Sequence, residues 1–447
     1  MRPVVMAPSF PRRDSAADGQ SIYVVESAQA LARLLGCSAT DPLRAIALQL
    51  GDEPLCEVDG AVEILRVALP KGVAVASPFA LYEAAHFETC MAQLATSGLH
   101  FIPPHAPVLV HGYELGPAAK RLSSQGNRVV AVLHYLLAQE SEHYLASAED
   151  ALRVASMPRM LGALGRALPK GAREGAVQVA SHLATSALPG HGLIAHQLRK
   201  LAHERMLMTS ADVAIGVSRG FAETMARFYP RARVTHCHAG AASRAVRVGR
   251  MRYATKRLHF VTVGRPTPQK GWDVLAEALA ILERERPALA SRIELTLMGG
   301  VDVVSAAHST FVRKTMQRLA ELKHVRVHAR GRLGHHEVLA AYEEADVFVF
   351  PSDYEPFGLV LLEAMQAGLP VLAFDADGPR DVLTQTSGWL VSRGDWPTRA
   401  RRLAEAMAGL FACETRQRMA MGDAARARAS EFTWSRCAAA HLHALGA

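Results

Sequence analysis

The stretch that most restricts what this chain can become is PSDYEPFGLVLLEAMQAGLPVLAF, Pro351 to Phe374. It follows Ala345 to Phe350 (ADVFVF), a β-branched and aromatic run of the kind that makes a buried parallel strand. Pro351 ends that strand, and Ser352 to Phe357, with its Asp, Glu and Pro, reads as a loop. Gly358 to Ala367 is then apolar at helical spacing and stops at Gly368. The pattern predicts a helix beginning near Pro356 or Phe357, with Val371 to Phe374 as the next strand.

A helix starting there leaves the backbone N–H groups of residues 357 to 360 without helical partners, and the helix dipole adds positive potential at the same point. An anion is the natural occupant, and Gly358 lets it approach the main chain closely. Glu355 stands on the loop beside this place and Glu363 two turns into the helix. Carboxylates next to a phosphate site repel phosphate but accept charge-assisted hydrogen bonds from sugar or ribose hydroxyls. The combination suits a nucleotide-diphosphate sugar.

Two glutamates eight apart also occur on the surface of any strand–loop–helix unit. The full string is more specific. E-P-F-G-L-V-L-L-E, with the trailing E-A-M-x-A-G-x-P, resembles the E-x7-E signature of retaining GT4-family glycosyltransferases of GT-B fold. The resemblance implies that Glu355 meets hydroxyls of the donor sugar and that Glu363 meets the nucleotide ribose. It implies that the backbone of Phe357, Gly358, Leu359 and Val360 holds the diphosphate.

At 447 residues the chain is too long for one ordinary core, and half of its residues are hydrophobic, enough for two. The α/β pattern together with the resemblance gives a GT-B expectation: two Rossmann-like domains whose parallel sheets face an interdomain cleft. Residues 1–245 form the acceptor-side domain, with a helical insert at about 150–195. Residues 255–430 form the nucleotide-sugar domain, and residues 431–447 a terminal helix that crosses back. A net charge of +8 and a pI near 9.3 favour anionic ligands. The basic residues are scattered without an aromatic-rich basic module, which points away from nucleic acid. The six cysteines, with no C-x-x-C pair, read as reduced, mostly buried thiols of a cytoplasmic protein. Neither a secretory signal nor a membrane-length apolar run stands out.

Along the first half, Val4 to Ala7 reads as a strand, followed by a polar loop and a helix from Ile22 to Leu35. DGQSIYVVESAQAL resembles the G-G-Q-x-x-Y-V-x-E segment of sucrose-synthase and sucrose-phosphate-synthase-like GT4 enzymes. Asp18 replaces the usual first Gly, so only Gly19 carries over as a donor-phosphate contact. A helix is expected within Pro78 to Ser97. Val108 to Val110 is a strand leading into HGYELG, which resembles the H-Y-x-D-A-G turn of the same subfamily. Glu114 there is a candidate acceptor contact, and turn chemistry explains the segment equally well. Arg128 to Leu133 is another strand with His134 at its carboxyl end, where ligands collect in open α/β sheets. The resemblance places His134 close to the reacting sugar and the acceptor. The basic stretch 157–173 suits either ordinary helices of the insert or peripheral contact with an inner-face membrane surface. His236-Cys237-His238 offers metal-ligand types without a partner pair at metal spacing and reads as a strand terminus.

In the second half, Leu258 to Val263 is a strand followed by GRPTPQKGW and an amphipathic helix from Asp273. Arg265 and Lys270 on that Gly-rich loop can converge on one diphosphate, Arg as a planar fork and Lys as a point charge. The segment resembles the family's G-R-x-x-x-x-K-G element, which implies donor-binding roles for Gly264, Arg265 and Lys270. Gly299-Gly300 and Gly331-Arg332-Leu333 resemble segments that approach the nucleotide, with Arg332 and Leu333 beside the base. His335-His336-Glu337 reads as helix-cap chemistry. Asp375-Ala376-Asp377 resembles a D-x-D metal motif but lies after the donor helix, and no metal is assigned to it. Arg399 to Leu410 and Ala424 to Leu445 read as helices.

The expected activity is therefore transfer of a sugar from a nucleotide-diphosphate sugar, as co-substrate, to a hydroxyl of a small-molecule or lipid-linked acceptor, with retention and without a further cofactor. His134, Arg265, Lys270 and Glu355 are the catalytic candidates. A nucleotide-sugar epimerase on the same fold, or a non-catalytic nucleotide-sugar-binding protein, would use much of the same site.

Overall fold

A computed structural model describes residues 1–11, 19–49, 54–73, 86–139, 193–241, 257–300 and 306–446. Asp18, His143, the basic stretch 157–173 and almost all of the expected insert lie outside these residues. The described residues divide into two compact units, one of residues 1–139, 193–240 and 433–446, the other of residues 241–432.

The first unit holds an eight-stranded sheet of β1 (Val4–Met6), β2 (Leu43–Leu48), β3 (Leu55–Asp59), β4 (Val62–Val67), β5 (Val108–His111), β6 (Val129–Leu133), β7 (Val213–Gly216) and β8 (Val234–His236), in the order β3-β4-β2-β1-β5-β6-β7-β8. All pairings are parallel except β3 on β4, a hairpin turned at Gly60 with φ +61°. Strands β1, β5, β6 and β7 are buried along their whole length, which explains why they read as continuous apolar runs instead of alternating ones. Helix α1 (Gly19–Leu34) begins at Gly19, three residues before the position expected. Helices α2 (Phe87–Leu94), α3 (Gly116–Ser124), α4 (Leu193–Ser210) and α5 (Arg219–Phe228) complete the part before the second unit.

The second unit is a six-stranded parallel sheet of β9 (Leu258–Val263), β10 (Ile293–Met298), β11 (Arg326–Ala329), β12 (Val347–Phe350), β13 (Val371–Phe374) and β14 (Gly388–Val391). Its order is β11-β10-β9-β12-β13-β14. The strand order reverses between β9 and β12, so the loops leaving their carboxyl ends diverge and open a crevice. Helices α6 (Trp272–Glu285), α7 (Ala306–Ala320), α8 (His335–Glu343), α9 (Leu359–Gln366), α10 (Asp377–Val382), α11 (Trp396–Gly409) and α12 (Thr415–Ala429) surround the sheet in sequence. The core packs α6 and α11 through Leu275, Leu279, Leu403 and Met407.

Two further helix boundaries differ from the sequence expectation in ways that matter below, besides the earlier starts of α1 and α11. Helix α9 starts at Leu359, because Gly358 takes the left-handed conformation with φ +95° and the preceding residues are tied elsewhere. The continuous helix expected from Ala424 to Leu445 is broken at Ser430 to Phe432. Thr433 then caps a new helix, α13 (Trp434–Leu445), by accepting from the Arg436 amide. Helix α13 packs on α1 within the first unit. The cysteines are free, but only Cys90, Cys237 and Cys437 are buried, and Cys56 is exposed.

Candidate functional site

In the second unit, β9 runs into Gly264, a short 3-10 turn over Pro268–Lys270, and Gly271. Gly271 has φ +65°, and a Cβ there would lie 1.9 Å from the Pro351 carbonyl oxygen. The Lys270 loop can therefore sit directly against the end of β12 only with glycine at this position. The result is one ion pair across the switch point, with Lys270 Nζ 2.7 Å from Glu355 Oε2. Lys270 also lies over the Phe350 ring, 5.7 Å from its centre. Glu355 keeps 11% of its side-chain surface exposed and Lys270 27%, so both remain open to a ligand.

The two loops are joined behind this pair. The Asp353 amide donates to the Gln269 carbonyl at 3.0 Å, and Arg393 donates to the Asp353 carbonyl at 3.2 Å. The Asp353 carboxylate pairs with Arg399 from α11, and both residues are buried, at 4% and 2% exposure. A buried charge pair of this kind fixes loop position, since either partner alone would face an uncompensated charge in the interior.

Glu355 continues into the start of α9. Its carbonyl accepts from the Gly378 amide at 2.8 Å. A Cβ on Gly378 would come within 2.3 Å of the Phe357 carbonyl oxygen, so α10 and the pre-helical loop are in direct backbone contact. The Leu361 amide donates to the Gly358 carbonyl, which leaves Leu359 and Val360 as the opening amides of the helix. Phe357 is buried and does not begin the helix as the sequence suggested. Glu363 keeps intermediate exposure, yet burial of its carboxyl raises its pKa to about 7. Below it, Tyr342 is fully buried, and its hydroxyl has no hydrogen-bond partner among the described residues. Burial first, and the Glu363 carboxylate second, push the Tyr342 pKa well above its usual value.

Of the remaining candidates in this unit, Arg265 is exposed beside Gly264. Gly300 packs on Arg332, whose Cβ would be 2.8 Å from a Cβ at Gly300, and the Gly299 amide donates to the Gly331 carbonyl at 2.7 Å. Arg332 and Leu333 thus stand next to the Gly299-Gly300 turn. Asp375 accepts from Arg380 at 2.6 Å, while Asp377 opens α10. The D-x-D string therefore serves an ion pair and a helix start. Glu337 Oε2 accepts from the Gly334 amide at 2.7 Å, the cap chemistry expected of His335 to Glu337.

In the first unit, His134 lies just past β6, with its Nε2 3.2 Å from His111 Nδ1 at the end of β5. Burial, and secondarily the proximity of His441, hold the His134 pKa near 3, so its imidazole is neutral at physiological pH. The Tyr23 ring meets it edge-on at 4.6 Å. Glu114 is only 2% exposed and its carboxylate tucks against Gly112, which has φ +93°. A Cβ on Gly112 would sit 2.2 Å from Glu114 Oε2 and 2.9 Å from Gln20 Nε2. Glu114 therefore supports this turn from inside, and Gly19, exposed at the first position of α1, is next to Gln20.

Sequence reasoning named Lys270, Glu355, Gly358 and Glu363 but missed the residues that hold them. Gly271 and Gly378 had a legible signal as glycines in the segments of interest. Asp353 and Arg399 had none, because their pairing spans loop and helix far apart in sequence.

Residues 251–428 match the family model "Glycosyl transferases group 1". A D-inositol 3-phosphate glycosyltransferase of Streptomyces coelicolor is 36% identical over 218 residues, 48% of this chain and 45% of that protein. Its counterpart in Streptomyces scabiei is 38% identical over 178 residues, 40% of this chain and 38% of that one. The matched part thus spans less than half the length of these two relatives. Among solved structures, sucrose-phosphate synthase from Thermosynechococcus elongatus superposes with a TM-score of 0.65 at 20% identity, covering 99% of this chain and 98% of that one. The trehalose-6-phosphate synthase OtsA gives 0.68 at 12% identity, covering 100% and 99%. At such identities the likeness establishes the fold, two parallel-sheet units of the GT-B kind. Residues 251–428, which carry the Lys270–Glu355 pair and the α9 start, therefore form a glycosyltransferase group 1 domain.

Proposed function

We propose that this protein is a retaining glycosyltransferase that moves a sugar from a nucleotide-diphosphate donor to a hydroxyl of a phosphorylated small polyol. The observation that carries the reading is the Lys270–Glu355 pair at the β9/β12 switch point, beside the opening amides of α9. Lys270 and Arg265 supply positive charge where the departing diphosphate gathers negative charge, and the Leu359 and Val360 amides add fixed dipoles. Glu355, held by Gly378 on one side and Lys270 on the other, accepts hydrogen bonds from sugar hydroxyls. Glu363, titrating near neutrality, meets the ribose. A neutral His134 orients hydroxyls as donor or acceptor without competing for a proton. The departing phosphate itself can take the acceptor's proton, so no added cofactor or metal enters the reaction.

The acceptor class is supported by the names of similar proteins, which act on inositol phosphate or make sucrose phosphate and trehalose phosphate. A lipid-linked acceptor rested on the stretch 157–173 alone. Among the described residues, no helix is long and apolar enough to cross a membrane. The test is release of nucleoside diphosphate across a panel of donors, with inositol phosphates and hexose phosphates as acceptors. Acceptor-dependent release that disappears in Lys270→Ala is expected. Conversion of the donor sugar without any acceptor would favour epimerisation, and release equal in wild type and Lys270→Ala would reject the site.

A further inference from the structure

Three segments distant in sequence bring soft and borderline metal ligands together in the interior of the first unit. Cys237 follows β8, Cys437 and His441 lie one turn apart on α13, and Tyr23 is on α1. Cys237 is 3% exposed, Cys437 1%, His441 0% and Tyr23 2%. The Sγ atoms of Cys237 and Cys437 are 3.3 Å apart, and His441 Nε2 is 3.8 Å from Cys437 Sγ. All three ligand atoms lie within 4.8 Å of one another. Tyr23 Oη completes the figure at 3.0 Å from His441 Nε2, 3.2 Å from Cys437 Sγ and 3.6 Å from Cys237 Sγ.

These spacings can be compared with what a metal requires. Zinc bound tetrahedrally at about 2.3 Å to sulfur and about 2.0 Å to nitrogen separates its ligand atoms by roughly 3.8 Å (S to S) and roughly 3.5 Å (S to N). The Cys437–His441 edge is about 0.3 Å longer than that and the Cys237–Cys437 edge about 0.5 Å shorter, so binding needs the two sulfurs to part slightly. A bonded disulfide, with sulfurs about 2.05 Å apart, would need the thiols to close by more than an ångström and would leave His441 unused. Two thiolates and an imidazole are also the donor set that selects zinc-class ions over magnesium or calcium.

We propose that Cys237, Cys437 and His441 form a structural binding site for a zinc-class divalent cation, with the Tyr23 hydroxyl at the fourth corner. The cluster is distinct from the residues given donor-binding roles above. Binding would release the thiol protons and join α1, the end of β8 and α13 through a single ion. The C-terminal helix would then be tied into the first unit by coordination as well as by packing. Because the Tyr23 ring lies against His134, the same ion would fix the orientation of that histidine.

The test uses the full-length chain stripped with a chelator and kept reduced. Titration with cobalt(II) is expected to show one equivalent taken up, with thiolate-to-cobalt charge-transfer absorption and the intense visible bands of a tetrahedral site, displaced by zinc. Zinc should raise the melting temperature of the stripped protein. Cys237→Ser/Cys437→Ser and His441→Gln should lose both effects, while Cys56→Ser, at an exposed cysteine, keeps them. Absence of stoichiometric cobalt or zinc uptake by the reduced wild type overturns the proposal, whatever the folding of the variants. Uptake undiminished in a folded double-serine variant overturns it too, as does isolation of the protein from the cell with Cys237 and Cys437 joined as a disulfide.

Discussion

Replacing Arg399 by Met tests whether the candidate site is held in place by a buried charge pair. Asp353 and Arg399 are 4% and 2% exposed, and Asp353 is the residue through which the Glu355 loop is hydrogen-bonded to Gln269 in the Lys270 loop. Met retains most of the buried aliphatic volume but leaves the Asp353 carboxylate without its countercharge. Breaking one side of a buried pair costs about 3–5 kcal/mol. For a unit of this size, each kcal/mol shifts the melting temperature by about 2–4 °C, so a fall of roughly 6–20 °C is expected. Asp353→Asn/Arg399→Met removes both charges and should recover more than half of that loss, giving a large coupling in a double-mutant cycle. Urea and thermal unfolding of the four proteins, with titration of nucleoside diphosphate, supply the assay. Nucleotide affinity should fall in Arg399→Met even under conditions where it remains folded, because the two loops lose their common anchor. A loss below about 1 kcal/mol in Arg399→Met, or additive single effects, would show that the pair is a bystander.

Three further outcomes follow from the same geometry. Lys270→Ala should lower turnover by about a hundredfold or more with the fold retained, as for loss of a single group stabilising developing charge; steady-state kinetics beside circular dichroism would decide it, and wild-type turnover would refute it. Glu363 takes up a proton on folding, since its folded pKa is raised from 4.5 to about 7. The stability it contributes is therefore complete below pH 4.5 and is lost as pH rises through about 7, so the stability difference between wild type and Glu363→Gln should change across that window; parallel urea midpoints from pH 4 to pH 8 would rule this out. Gly271→Ala should destabilise the second unit by more than about 1 kcal/mol, because φ is +65° and Cβ meets the Pro351 carbonyl oxygen at 1.9 Å; an unchanged melting temperature would refute the close approach.

The sequence by itself determined the two-unit α/β plan, because a buried parallel strand must be apolar on both faces and so announces itself as a short run such as Leu258 to Val263 or Val347 to Phe350. Lys270, Glu355 and Glu363 were also legible as candidates, Lys270 from its place in the loop after β9 and the two glutamates from their spacing across the loop and helix after β12. Helix boundaries were less legible. A glycine permits a left-handed turn without requiring one, and Gly358 takes it beside a contact between segments apart in sequence, that of Gly378 with Glu355 and Phe357. The tertiary structure alone decided the pairings of residues far apart in the chain, among them Asp353 with Arg399 and Cys237 with Cys437 and His441. Sequence periodicity reports which face of an element is buried, whereas charge pairing and ligand geometry depend on which elements meet, and that is fixed only when the sheets and helices pack.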